Sequence, residues 1–139
     1  MIVNLQRKVK IGAADLNDFI AVVSTHIDEA VGKSFSIAFI NDARMKQLNS
    51  TFRGKDGTTD VLSFPFEAQP FEPDSNELGD IVISAEQAQK QAAENGLSLE
   101  GEIKQLILHG VLHLCGYDHE TDSGEMNARE LELRDKLKV

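Results

Sequence analysis

The chain of 139 residues is predicted to fold as one α+β domain spanning residues 1–139, with a small mixed four-stranded sheet packed against helices and a buried central helix that carries a metal site. Three observations predict this. Short apolar runs of strand length are separated by stretches of helical periodicity, in the order strand, helix, strand, helix, strand, strand, and then three helices. The helix that follows Ser98 has one apolar face of Ile103, Leu106, Ile107, Gly110, Val111 and Leu114, with Leu108 and Leu112 nearly opposite, so it must be covered on both sides. Finally, that helix holds two of three histidines spaced H-x-x-x-H-x-x-G-x-x-H: His109, His113 and His119.

From Val3 to Ile11 the apolar residues Val3, Leu5, Val9 and Ile11 alternate with polar ones, which predicts a half-exposed strand. Leu16, Phe19, Ile20, Val23, Ile27 and Val31 then recur at helical spacing up to Gly32, with His26 one place off the stripe and on the surface. Ser34 to Ile40 places Phe35, Ile37 and Phe39 on one face of a better buried strand. Asn41 and Asp42 cap a short helix through Leu48, and the glycine-rich, charged run Arg53–Gly57 reads as a loop.

Thr59 to Phe66 contains a short strand that Pro65 terminates. The segment from Glu67 to Glu77, acidic and without periodicity, is expected to be a mobile flap. Leu78 to Ser84 is the fourth strand. Ser84 and Gln87 form a capping box for a helix that Asn95 and Gly96 end, and Ser98 caps the histidine-bearing helix. Asp122 and Glu125 open a last, charged helix carrying Leu131, Leu133 and Leu137. Strand order does not follow from these patterns.

A chain of this length buries a substantial core without staples. Its single cysteine excludes an internal disulfide and fits a reducing compartment. The start, MIVNLQRKVK, has no apolar signal core, and no later run reaches membrane-spanning length, so a soluble cytoplasmic protein without a membrane partner is expected. A net charge of −9 argues at first sight against a nucleic-acid partner. The excess is unevenly placed, however: residues 1–60 hold eight Lys+Arg against seven Asp+Glu, and residues 61–139 hold six against sixteen. The stretch Arg44 to Lys55 has four bases and no acid, and is the one candidate phosphate-facing patch.

His109 and His113, four apart, present both imidazoles on one helical face. Gly116 ends the helix, and its access to the left-handed region lets the chain fold back and bring His119 to the same ion. Three neutral imidazoles without a thiolate suit Zn²⁺ in a catalytic site, one ion per chain, with a coordination place left for a water that can ionise near neutrality. Cys115 lies about 160° round the helix from His113 and is read as a small core residue, not a fourth ligand. Asp60, Asp80 and Asp118 are candidates to orient a ligand histidine, but each reads more simply as a turn or strand-start residue.

The histidine pattern is that of the metzincin proteases with one departure: where those enzymes carry a glutamate general base after the first histidine, this chain has Gly110. Three stretches together, LNSTFRGKDGTTDVLSFPF, LGDIVIS and HGVLHLCGYDH, resemble the YbeY family of bacterial endoribonucleases over Leu48 to His119. Phe52 departs from a tyrosine expected as often there, and the ring is kept.

That resemblance implies a zinc-dependent, single-strand-specific endoribonuclease that processes ribosomal RNA, notably the 3′ end of the small-subunit 16S RNA, works with the small ribosomal subunit and takes part in ribosome quality control. It assigns His109, His113 and His119 as metal ligands, and Arg53 as the catalytic arginine acting beside His109. Without the resemblance, Arg53 reads as a surface arginine in a flexible loop. Two rival readings stand beside this one: a metalloprotease of altered design, opposed by the missing glutamate, and a non-catalytic ribosome-associated zinc protein, opposed by a ligand set of three and not four.

Overall fold

The computed structural model describes residues 1–67 and 76–139. The two most apolar alternating runs take the centre of the sheet, where β2 (Ser34–Ile40) and β4 (Glu77–Ser84) pair in parallel. β1 (Ile2–Asn4) adds in parallel outside β2, and β3 (Val61–Pro65) adds antiparallel outside β4, giving the order β1-β2-β4-β3. Because side chains alternate across a strand, Phe35, Ile37, Phe39, Ile81 and Ile83 share one face. There they meet Leu16, Phe19 and Val23 of α1 (Ala13–His26), the apolar side chains of α4 (Leu99–Leu114), and Met126 and Leu133 of α5 (Glu125–Leu137). Ile40 and Leu62 point the other way and pack against Met45 of α2 (Asp42–Arg53). α3 (Ala85–Asn95) carries the chain from β4 to α4 and buries Ala88 and Ala92.

The helix α4 is enclosed, as its all-round apolar sequence requires: Ile107, Leu108, Val111 and Leu112 have no solvent exposure. It lies close on β4 because Gly110 has no side chain. A Cβ at that position would stand 3.0 Å from two carbons of the Ile81 side chain. A second close approach is at Gly79, whose φ of +135° only glycine adopts without strain and where a Cβ would fall 2.2 Å from the Phe64 carbonyl oxygen.

Three elements differ from their sequence patterns. The strand expected over Val3–Ile11 pairs only from Ile2 to Asn4. Beyond it the buried Gln6 side chain takes over the backbone: its oxygen accepts from Val9 N (2.9 Å) and its amide donates to Val9 O (2.8 Å), folding Val9 into the core as a turn. The first helix stops at His26, followed by a single 3₁₀ turn over Asp28–Ala30, so Ile27 stays buried while Val31 is exposed. The second helix runs past Leu48 to Arg53, where Gly54 in the left-handed region ends it. The flap expected over Glu67–Glu77 falls, for residues 68–75, outside the described residues, and Glu77 itself opens β4.

The placement of α2 matters most for the site. Asn41 caps it by accepting from Arg44 N at 2.9 Å, as its sequence suggests. Next to the cap, Asp42 accepts from Thr58 Oγ1 (2.6 Å), Ser84 Oγ (3.0 Å) and Gln87 Nε2 (3.1 Å). One carboxylate thus ties the start of α2 to the approach to β3 and to the β4–α3 junction. Burial pushes the Asp42 carboxyl up, but these three donors outweigh it and hold the group below its ordinary value. The same contact explains why the expected Ser84–Gln87 capping box is half made: Ser84 Oγ accepts from Gln87 N at 3.3 Å, while the Gln87 amide turns to Asp42.

Candidate metal centre and catalytic cleft

His109 and His113 stand on consecutive turns of α4, whose last residue is Leu114. The chain then reverses: Gly116, at φ +102°, donates to His113 O at 3.0 Å, and Tyr117 N donates to Leu112 O at 3.1 Å. His119 returns over the helix end, as the position of the glycine predicts. The three rings have centroids 4.8, 5.1 and 5.4 Å apart, and one nitrogen from each lies within 4.8 Å of the others.

Hydrogen bonds define which nitrogen each helical histidine offers. His109 Nδ1 lies 2.6 Å from Glu130 Oε1, and His113 Nδ1 lies 3.0 Å from the Tyr117 carbonyl oxygen. A carboxylate and a carbonyl only accept, so Nδ1 carries the proton in both rings and the lone pair sits on Nε2. Burial pushes the His113 imidazole below its ordinary value, reinforced by His109 and His119, which favours the neutral form. The donor set therefore fits a divalent ion that favours imidazole, and two of the three rings already have the outer partners that ligand histidines commonly have.

Those partners are themselves held. Glu130 is buried, and its second oxygen accepts from Arg134 Nη2 at 2.7 Å. Burial pushes its carboxyl up, and the bond to His109 with the charges of His109 and Arg134 brings it down below the ordinary value. Tyr117 donates its hydroxyl to Glu29 Oε2 at 2.9 Å, and Arg129 grips the same carboxylate through Nε (2.9 Å) and Nη2 (2.8 Å). The Arg129 hydrogen bonds hold the Glu29 carboxyl down at about 2. The loop carrying His119 is thus fastened to the start of the 3₁₀ turn and to α5.

Cys115 points away from the histidines, its sulfur 3.7 Å from Glu29 O, and burial raises its thiol. None of Asp60, Asp80 and Asp118 hydrogen-bonds a ligand histidine. Asp60 accepts from Val61 N and Asp118 from Glu120 N, both local turn contacts, and Asp80 is an exposed residue of β4. The carboxylate that does bond one of the three histidines, Glu130 to His109, is not among the sequence candidates. Its signal was present, since Met126, Glu130 and Leu133 share one inward helical stripe on which a charged residue needs a partner.

Beside the histidines opens a cleft of about 750 Å³, running along β3, an outer strand of the sheet among the described residues. Phe52, Arg53 and Lys55 around the end of α2 line it, as do Tyr117, His119 and Glu120 of the loop after α4. Arg53 reaches across it, with Nη2 2.9 Å from Glu120 Oε1. As the last residue of α2, Arg53 is presented from a helix end and not from the flexible loop its sequence suggests. Arg44 and Lys46 lie one to three turns back along α2, away from this cleft, so the basic run contributes only its end. A second, polar cavity of about 500 Å³ meets the first at Asp60 and His109.

Among the described residues, no helix is long and apolar enough to cross a membrane. The chain is similar to a curated Nautilia profundicola protein named endoribonuclease YbeY, 53% identical over 107 residues, which cover 77% of this chain and 74% of that one. A Helicobacter pylori (strain Shi470) protein of the same name is 43% identical over 117 residues, covering 84% of this chain and 81% of its own. A Thermotoga maritima protein with a known solution structure has a similar fold, with a TM-score of 0.61 and 28% identity over 95% of this chain and 85% of that one. The family model described as endoribonuclease YbeY matches residues 1–138, taking in the three histidines, Arg53 and Glu130 alike, and on that match the chain belongs to the YbeY family.

Proposed function

We propose that residues 1–139 act as one catalytic unit, a zinc-dependent endoribonuclease that cleaves single-stranded RNA during maturation of ribosomal RNA. The observation that carries this reading is the convergence of His109, His113 and His119 in a cleft that the Arg53 guanidinium also lines. The names of the YbeY relatives support the RNA substrate. The finer role, at the 3′ end of the small-subunit 16S RNA, on the small ribosomal subunit, in the cytoplasm and in ribosome quality control, rests on the family resemblance.

When bound, the ion supplies Lewis acidity toward a phosphoryl oxygen and makes a water more acidic. The chain's own residues do the rest. His109 and His113 offer Nε2 because Glu130 and the Tyr117 carbonyl hold their Nδ1 protons. Arg53 presents a planar set of donors to the cleft, of which one is engaged by Glu120, and the others are available to the phosphoryl oxygens as negative charge grows there. Gly110 faces Ile81 and not the cleft, so a residue at this position could not serve as a general base, which disfavours the peptidase alternative.

Zinc content and single-turnover cleavage of an unstructured RNA test these assignments together. Arg53→Ala is expected to keep its zinc and its fold while losing about 2–4 kcal/mol of transition-state stabilisation. Lysine should rescue poorly, since a point charge cannot make a two-pronged phosphate contact. His109→Ala should lose both metal and activity. Wild-type turnover by Arg53→Ala would return that arginine to the status of a surface residue.

A further inference from the structure

Phe52, in the last turn of α2, is 62% exposed. Its ring meets Phe64 of β3 edge to face, with centroids 5.1 Å apart and planes at 76°. That contact uses the geometry aromatic pairs prefer, and it braces a ring that stays largely exposed to solvent. Phe64 in turn rests on the small core under α2, so the support is not a mobile side chain. Both rings line the cleft that holds the three histidines, and the next residue along is Arg53.

A fixed aromatic face beside a guanidinium matches one class of ligand: a flat π-system joined to an anion. We propose that Phe52, braced by Phe64, is a stacking site for an unpaired nucleobase of the RNA strand whose phosphate meets Arg53. This rests on the endoribonuclease reading above and names the feature that makes the cleft prefer single strands. A base can lie on Phe52 only when it has left its own stack, which a duplex forbids and a single strand allows at little cost. The site tolerates any base, because every base has a π-face. Lys55, also on the cleft wall, is placed to meet a neighbouring phosphate.

The test uses the full-length, metal-loaded protein and a short oligoriboadenylate carrying one fluorescent adenine analogue whose emission falls on stacking, alone and annealed to its complement. Wild-type protein is expected to quench the single strand and not the duplex. Phe52→Ala should lose the quenching and bind the single strand about five-fold or more weakly, from the ordinary strength of base–aromatic stacking, with duplex binding unchanged. Phe52→Leu should group with alanine, and Phe52→Tyr with wild type, separating stacking from simple apolar contact. As the ring is largely exposed, unfolding midpoints and zinc content should be unaltered in all three.

Unchanged single-strand affinity and quenching in Phe52→Ala would overturn the proposal, as would full retention by leucine. Those results leave the endoribonuclease reading standing if wild type still cleaves RNA. Absence of RNA cleavage by the loaded wild type is the separate failure of that reading.

Discussion

Replacing Glu130 by glutamine is expected to weaken metal binding about ten- to hundred-fold, or about 1.4–2.7 kcal/mol. The carboxylate accepts two charge-assisted bonds, from His109 Nδ1 at 2.6 Å and from Arg134 Nη2 at 2.7 Å, in a site only 9% exposed. Glutamine keeps the shape but has one accepting oxygen. If that oxygen serves His109, its amide hydrogens confront Arg134, and if it serves Arg134, they confront the His109 N–H. Either way a buried donor loses its partner, at about 1–3 kcal/mol, and in the second case the proton on His109 is also no longer held at Nδ1. Competition for zinc against a chromophoric chelator gives the affinity, and urea unfolding of the metal-free protein gives the stability. Stability lost with zinc affinity unchanged would refute the argument, reducing Glu130 to a packing contact between α4 and α5.

Three further outcomes follow from other contacts. Glu29 has an ordinary value of 4.5 and a folded one of about 2, so its stabilisation is fully present above 4.5 and lost as pH falls from there toward 2. The displacement corresponds to about 3 kcal/mol by linkage, reduced to about 1–2 kcal/mol by solvent screening of a partly exposed pair. Glu29→Gln should therefore unfold more easily than wild type at pH 7, with most of the difference gone by pH 2, as denaturant midpoints across that range will show. Gly79→Ala drives a Cβ toward the Phe64 carbonyl at a φ closed to alanine, and should cost about 3 kcal/mol or more, seen as insoluble protein or a large fall in Tm. Glu120→Gln releases Arg53 from an exposed ion pair worth about 0–1 kcal/mol, and should tighten RNA binding by up to about five-fold in a fluorescence-anisotropy titration.

The histidine-bearing helix is readable because its information is local. Histidine spacing, the terminating glycine and an apolar surface on all sides are properties of consecutive residues, and they led to the three rings that converge. The partner of His109 was not readable in that way, since Glu130 lies 21 residues away on another helix and only packing brings it within bonding distance. Similarly, Val3 to Ile11 alternates like a strand, yet Gln6 offers Val9 a closed pair of side-chain bonds that the sheet edge cannot match. Beyond Leu48 the last turn of α2 is mostly polar and leaves no periodic mark in the sequence. What extends it to Arg53 is the anchoring of Asp42 at one end and Gly54 at the other, and this extension places the arginine and Phe52 on the cleft wall. The order of strands, which among the described residues puts β3 outermost beside β4, is a long-range outcome with no local mark.

The central claim, that RNA cleavage depends on a metal ion held by His109, His113 and His119, meets its most direct test in single-turnover cleavage of a short unstructured RNA. The comparison sets zinc-loaded protein beside chelator-stripped protein, stripped protein with zinc restored, and His109→Ala. Cleavage by the loaded and restored samples and none by the other two is the predicted result. Cleavage by the stripped protein or by His109→Ala at the loaded protein's rate would contradict it.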